Sequence, residues 1–183
     1  MPESAGGTGI PRSHRAAELA TPGADLASRV VTALTCRHLT LATCESLTAG
    51  LVSARVADVP GASAVLRGGL VTYSSQLKVD LVGVDRQWVA EHGVVNATTA
   101  RHMASAVTGI CGADLGVGCT GVAGPDSQDG VAPGTVHVAV ARAGRPWHQA
   151  CAEVLTLSGD RGHIREATVQ ACLDLVLRVV NTM

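Results

Sequence analysis

Hydrophobic positions recur along the chain at two spacings, three to four residues and two residues, which are the periods of helices and strands. The spacing predicts helices from residue 25, over 48–56, over 75–81, between 96 and 112, and over 160–180, and strands over 39–44, 69–73, 115–119, 136–140 and 147–157. The last two strands are joined through a turn at Gly144 and predict an antiparallel hairpin. Strands that alternate with helices predict an α/β fold, a layered α/β/α arrangement with a mixed sheet.

The first 23 residues differ from the rest of the chain. They are rich in glycine and proline and have no apolar period, so they predict a flexible tail without a chemical role. Residues 24–183 have the length of one domain, which sets the expected organisation as a tail at 1–23 followed by a single domain at 24–183.

Composition excludes several classes of function. The chain has no apolar run long enough to span a membrane, and its net charge of −1 with scattered arginines predicts no nucleic-acid binding. Six cysteines without a C-x-x-C pair or a secretory signal indicate reduced thiols in the cytoplasm. The seven histidines have no spacing typical of metal ligands, so we expect neither a metal nor a cofactor.

The only lysine and the only tyrosine of the chain, Lys78 and Tyr73, lie five residues apart. All other fixed positive charges are arginines, which cannot lose their proton in a protein, whereas a desolvated lysine can become a neutral base. Lys78 is therefore a candidate proton-transfer group. A surface lysine retained by chance would give the same sequence.

Ser46 lies between a predicted strand and a predicted helix, where the first backbone amides of the helix would face its hydroxyl. A nucleophile beside an oxyanion site can occupy such a turn, although the G-x-S-x-G signature of hydrolases is absent. The alternative is that Ser46 or Thr48 only caps the helix.

Two further segments are candidates for binding a ligand. Thr120, Gly121 and Gly124 belong to a glycine-rich loop at the end of a strand, where α/β sheets usually bind ligands, although a glycine-rich turn without a ligand is equally compatible. Arg161 and Arg165 lie one turn apart at the start of the last helix, where they can bind a phosphate or remain solvated.

Six motifs occur in order along the chain: C-E-S-L-T-A-G at 44–50, V-P-G-A-S-A-V-L-R-G-G-L-V-T-Y-S-S-Q-L-K at 59–78, E-H-G-V-V at 91–95, T-G-V-A-G-P-D at 120–126, P-G-T-V at 133–136 and G-D-R-x-x-I-R at 159–165. Together they resemble the CinA C-terminal domain family, the nicotinamide-nucleotide amidases. The resemblance extends from about residue 25 to residue 180.

The resemblance implies hydrolysis of the carboxamide of nicotinamide mononucleotide to nicotinate mononucleotide and ammonia, without metal or cofactor, by a homodimer. Matching motifs imply Ser46 as the nucleophile, Lys78 as the base and Tyr73 as an assisting hydroxyl. By the same argument, the substrate-binding residues are Thr48, Thr120, Gly121, Gly124, Arg161 and Arg165.

The chain departs from the family pattern at two positions: Leu47 replaces a frequent cysteine, and Ala49 replaces the first glycine of a frequent pair. Neither change removes a reacting group. They leave open a second function for the chain, a non-catalytic nucleotide-binding or regulatory module of the same fold. A third possibility is an enzyme in which Lys78 forms a Schiff base.

Overall fold

The computed structural model of the chain describes residues 24–183, and the predicted tail at residues 1–23 lies outside them. In the described part, six α-helices and five strands follow one another along the sequence. The helices are α1 (Ala24–Cys36), α2 (Leu51–Ala57), α3 (Ser75–Asp80), α4 (Arg86–His92), α5 (Ala97–Cys111) and α6 (Arg161–Asn181). The strands are β1 (Leu41–Glu45), β2 (Leu66–Val71), β3 (Leu115–Gly121), β4 (Thr135–Arg142) and β5 (Cys151–Thr156).

Several boundaries and one helix differ from the sequence-based prediction. Strand β2, predicted over 69–73, occupies Leu66–Val71. Helix α2 begins at Leu51, three residues later than predicted, because Ala49 and Gly50 have positive φ angles of 51° and 97°. Helix α4 was not predicted, since none of its residues is buried and it therefore has no apolar stripe. The last strand begins at Cys151, after a short 3₁₀ helix at Trp147–Gln149.

The strands form one mixed sheet in the order β2-β1-β3-β4-β5. Strands β2, β1 and β3 are parallel, whereas β4 and β5 form the predicted antiparallel hairpin next to β3. The chain places β2 on one side of β1 and β3 on the other. The carboxyl ends of these three strands therefore lie at one edge of the sheet, around the point where the strand order reverses, and ligands of α/β proteins usually bind there.

Helices cover both faces of the sheet, so the predicted α/β/α layering is confirmed. Helices α1, α2 and α6 bury one face through aliphatic side chains such as Leu34, Val52 and Leu173. On the other face, Met103 and Val107 of α5 pack against β1. Each of these large aliphatic side chains contributes roughly 1.5–3 kcal/mol by leaving water. No helix within residues 24–183 combines the length and apolar character needed to cross a bilayer.

The central glycines bring α5 close to the sheet. A Cβ atom on Gly116 would lie 2.0 Å from the Ala104 carbonyl oxygen, and one on Gly118 would lie 2.2 Å from that of Ala100. In the sequence, glycines concentrate in the middle of the chain, which suggests that the backbone there lies close to another group. In the structure, they accommodate a packed helix.

Candidate active site

Lys78 lies inside the protein, next to Ser46. It is the largest of the fully buried side chains, with 1% of its surface exposed. Its ammonium nitrogen Nζ donates hydrogen bonds to Ser46 Oγ at 3.0 Å, to the Thr72 carbonyl oxygen at 2.7 Å and to the Tyr73 carbonyl oxygen at 3.3 Å. Helix α3 carries the lysine, while the segment after β2 supplies the two carbonyls and the segment after β1 supplies the serine. The sequence therefore predicted both members of a contact that spans 32 residues.

Burial changes the acid–base chemistry of the lysine. It lowers the pKa of Lys78 from 10.5 to about 8, because the ammonium form loses its hydration. A negative charge at Cys44 would oppose this change, but burial raises the pKa of that thiol to about 12 and keeps it neutral. Within residues 24–183, no carboxylate forms an ion pair with Lys78. About a tenth of the amine is thus neutral at pH 7.

The turn that carries Ser46 is organised by a buried carboxylate. Glu45 is 1% exposed, and its two oxygens accept five hydrogen bonds of 2.7 to 3.1 Å. The donors are the hydroxyls of Thr43 and Thr48 and the backbone amides of Gly50, Val52 and Ser53. Hydrogen bonds from several donors compensate for the lost hydration of a buried charge. Glu45 therefore connects the end of β1 to the start of α2.

This arrangement corrects one expectation for Ser46. The first amides of the following helix were expected to face the serine hydroxyl, but those of Val52 and Ser53 bind Glu45. The Ser46 amide itself donates to the Cys119 carbonyl oxygen. In the described part of the chain, the amides of Leu47 and Thr48 donate no hydrogen bond to another residue. Any oxyanion site beside Ser46 would therefore use amides of the turn.

Thr48 and Arg165 hold the same turn from its other side. The Thr48 hydroxyl is fully buried and donates to Glu45, and Arg165 donates from Nε to the Leu47 carbonyl oxygen at 2.9 Å and from Nη2 to the Thr48 carbonyl oxygen at 2.8 Å. Neither side chain lines the cavity at Ser46. The sequence placed both among the ligand-binding residues, and the structure places them in the framework of the turn.

A cavity of about 250 Å³ opens beside Ser46 at the carboxyl ends of the parallel strands. Five of the predicted residues line it: Ser46, Tyr73, Gly121, Gly124 and Arg161. Arg161 donates from Nη2 to the Tyr73 hydroxyl at 2.7 Å and from Nη1 to the Gly124 carbonyl oxygen at 3.1 Å. These contacts join the start of α6 to the loops that follow β2 and β3.

Thr120 occupies a different environment from the one predicted. Its side chain is buried, and the hydroxyl donates to the Val94 carbonyl oxygen at 3.0 Å. Thr120 does not line the cavity, in contrast to Gly121 next to it. The threonine thereby fixes the end of β3 to the segment before α5.

Sequence reasoning did not assign a role to several polar residues of the cavity wall. These are Asp126, the last residue of the T-G-V-A-G-P-D motif, and Ser127 and Gln128, which follow it. The only signal for them was their position in or next to this motif. Glu45 was also missed, although a charged residue at the end of an apolar strand run needs partners to be buried. Within residues 24–183, no group of three or more His, Cys, Asp or Glu side chains is arranged to hold a metal ion.

The fold and the site define a class: an α/β protein with a buried serine–lysine contact at the strand-order reversal of a mixed sheet. Comparison with protein families shows to which family of this class the chain belongs. The family model of the CinA C-terminal domain matches residues 23–180, so the chain belongs to this family and the resemblance seen in its motifs is confirmed.

Curated relatives are similar to this chain over part of their length. A "CinA-like protein" of Frankia casuarinae is 42% identical over 144 residues, which cover 79% of this chain and 32% of that protein. The chain thus spans about a third of the length of the curated relatives it matches.

Solved structures show the same fold. The competence/damage inducible protein CihA of Agrobacterium tumefaciens superposes with a TM-score of 0.79 at 31% identity, covering 86% of this chain and 94% of that one. A CinA superfamily protein of Klebsiella pneumoniae superposes with a TM-score of 0.82 at 26% identity, covering 87% and 98% of the two chains.

Proposed function

We propose that this chain hydrolyses the carboxamide of nicotinamide mononucleotide to nicotinate mononucleotide and ammonia, with Ser46 as nucleophile and Lys78 as base. The observation that carries the proposal is the 3.0 Å contact between Lys78 Nζ and Ser46 Oγ, with a lysine whose burial lowers its pKa to about 8. A base within hydrogen-bond reach of a hydroxyl, with a pKa near the working pH, is what general-base activation of a nucleophile requires.

In the first half of the reaction, neutral Lys78 accepts the proton of the Ser46 hydroxyl while Oγ forms a bond to the carboxamide carbon. The resulting tetrahedral oxyanion accepts hydrogen bonds from amides of the turn, whose residue Leu47 lines the cavity. Each well-aimed donor of this kind contributes roughly 3–4 kcal/mol. The carbon–nitrogen bond then breaks, and the Lys78 ammonium gives its proton to the departing amine, which leaves as ammonia.

In the second half, Lys78 accepts a proton from water while the water oxygen attacks the acyl-serine ester. The ester bond to Ser46 breaks, the serine oxygen regains a proton from Lys78, and the carboxylic acid product leaves. Lys78 alone takes up and returns the protons in both halves, so it is neutral at the start and at the end of the cycle. Its two backbone contacts, to Thr72 and Tyr73, hold Nζ in place throughout.

The cavity supports a mononucleotide as the substrate. Its volume of about 250 Å³ lies just below the roughly 300–1,000 Å³ that is usual for ligand sites, which favours one nucleotide over two. The pyridinium charge of the substrate would disfavour a neighbouring ammonium and so increase the neutral fraction of Lys78. Arg161, joined to Tyr73 by a hydrogen bond at the cavity wall, contacts the phosphate or ribose.

The test is a coupled ammonia assay on the purified chain with nicotinamide mononucleotide and a panel of other amides. Ammonia release should disappear in Ser46→Ala and in Lys78→Arg, which keeps the charge but loses the base. Lys78→Met is the second lysine variant, because it lacks both the charge and the donor. For the wild type, kcat/KM should rise with pH through about 8 as the neutral amine forms.

Three results would oppose the proposal. A folded Lys78→Arg variant with full activity would exclude proton transfer by the lysine. Nucleotide affinity in calorimetry without any ammonia would instead indicate the non-catalytic binding module. Trapping of a substrate carbonyl on Lys78 by borohydride would indicate a Schiff base, whereas an added acyl mass that Ser46→Ala abolishes supports the serine pathway.

A further inference from the structure

The two tryptophans of the chain, Trp88 and Trp147, line a second cavity of about 410 Å³. This cavity lies between the segment before α4, helix α5 and the 3₁₀ helix at residues 147–149. It shares no lining residue with the cavity at Ser46. Aromatic residues make up 2% of the chain, so their convergence on one cavity is not a consequence of general composition.

The aromatic walls are held in place by stacked histidines. His102 stacks on Trp147 with ring centroids 4.2 Å apart, and His92 stacks on Trp88 with centroids 4.7 Å apart. Burial lowers the pKa of His102, so its ring is neutral at pH 7 and offers one donor and one acceptor. The indole of Trp147 is nevertheless 36% exposed, which leaves a large apolar ring partly in water. The cavity is thus formed before any ligand arrives, with an aromatic surface available to it.

The polar groups of the wall define which ligand fits. Among the described residues, Asp85 and Thr98 lie on it, and no arginine or lysine does. A carboxylate accepts hydrogen bonds from an amino group, whereas a phosphate would meet an acidic wall without a cation. Aromatic faces favour stacking with a planar ring. We propose that this cavity binds an uncharged nitrogen heterocycle with an exocyclic amine, of the type found in amino-bearing nucleosides.

The experiment uses the emission of the protein itself, because every tryptophan of the chain lines this cavity. The full chain is titrated with adenosine and cytidine, which carry an exocyclic amine, and with inosine and uridine, which do not. Saturable changes in emission are expected for the first pair, with an affinity several-fold higher than for the second pair.

Two variants and one control locate the binding. Trp147→Ala should weaken adenosine binding at least roughly fivefold, as expected for a lost base-stacking partner, while Trp88 still reports it. Asp85→Asn can still cap α4 but lacks the charge, so it should reduce the preference for adenosine over inosine. Ile110→Ala, an exposed apolar truncation on α5 outside the cavity, should bind as the wild type does.

The proposal is overturned if no nucleoside gives a saturable change, or if folded Trp147→Ala binds with unchanged affinity. Binding that nicotinamide mononucleotide displaces and Trp147→Ala retains would belong to the Ser46 cavity and would also overturn it. An emission change that follows dilution of the protein, without ligand, would show that a second copy of the chain covers these tryptophans, and this too would overturn the proposal. None of these measurements depends on the amidase activity proposed for Ser46 and Lys78.

Discussion

Replacing Lys78 by methionine removes a buried charge and three hydrogen bonds, and the two effects should nearly cancel in the unfolding free energy at neutral pH. Burial lowers the pKa of this lysine from 10.5 to about 8, and the difference corresponds to roughly 3 kcal/mol of free energy against the ammonium form. Methionine has a similar length and no charge to desolvate. The loss of the three hydrogen bonds, to Ser46 Oγ and to the Thr72 and Tyr73 carbonyls, subtracts from this gain, about 1 kcal/mol for each.

The pH dependence separates the charge from the hydrogen bonds. Below pH 8, the lysine is protonated in both the folded and the unfolded chain, and the whole cost of burying the ammonium is present. Between pH 8 and 10.5, the folded chain holds the neutral amine while the unfolded chain still binds the proton. Stability therefore rises with pH in this window. The wild type should gain roughly 3 kcal/mol relative to Lys78→Met between pH 7 and pH 10.5.

Urea unfolding of both proteins at several pH values from 7 to 10.5 measures this difference. Other titrating groups cancel in the comparison as long as the substitution does not alter them. Lys78→Met should show no ammonia release at any pH. A stability difference that stays constant across the window would refute the reasoning, because it would mean that the buried amine keeps its ordinary pKa.

Three further substitutions test the packing of the fold and the Ser46 turn. Glu45→Gln places an amide NH₂ group against donors whose hydrogen bonds the carboxylate accepts. The unfolding free energy, measured in urea, should therefore fall by about 3 kcal/mol or more, and ammonia release should fall with it. Ala49→Gly relieves a left-handed backbone angle of 51° and should raise the unfolding free energy by up to about 1 kcal/mol without loss of activity. Gly118→Ala would place a Cβ atom 2.2 Å from the Ala100 carbonyl oxygen and should cost about 3 kcal/mol or more, measured by thermal unfolding. Its control is Gly109→Ala on α5, where the added Cβ meets no atom of a neighbouring element within 4 Å in the described structure and should stabilise by about 1 kcal/mol. Equal effects of the two alanines would contradict the packing argument.

The sequence alone determined the elements that have a periodic buried face. Helix α5 was predicted between Asn96 and Gly112 and occupies Ala97–Cys111, because its apolar stripe and its two capping residues are local signals. Helix α4 has no buried residue and therefore gave no such signal. Lys78 was recognisable for a different reason. It is the single lysine in a chain whose other fixed positive charges are arginines, and this can be read from the composition without a structure.

The tertiary structure alone decided which groups meet. The order β2-β1-β3 brings Ser46 and Lys78 within 3.0 Å, and no local pattern specifies the pairing of distant strands. The same holds for Arg165, which looks like a phosphate ligand in sequence and in fact holds the backbone of the Ser46 turn 117 and 118 residues away. Periodicity reports that a face is buried, but the partner of a polar group depends on contacts between segments far apart in the chain. The residue types of the candidate site could therefore be predicted from the sequence. The fold was needed to tell which of these residues line the cavity and which hold the backbone of the Ser46 turn.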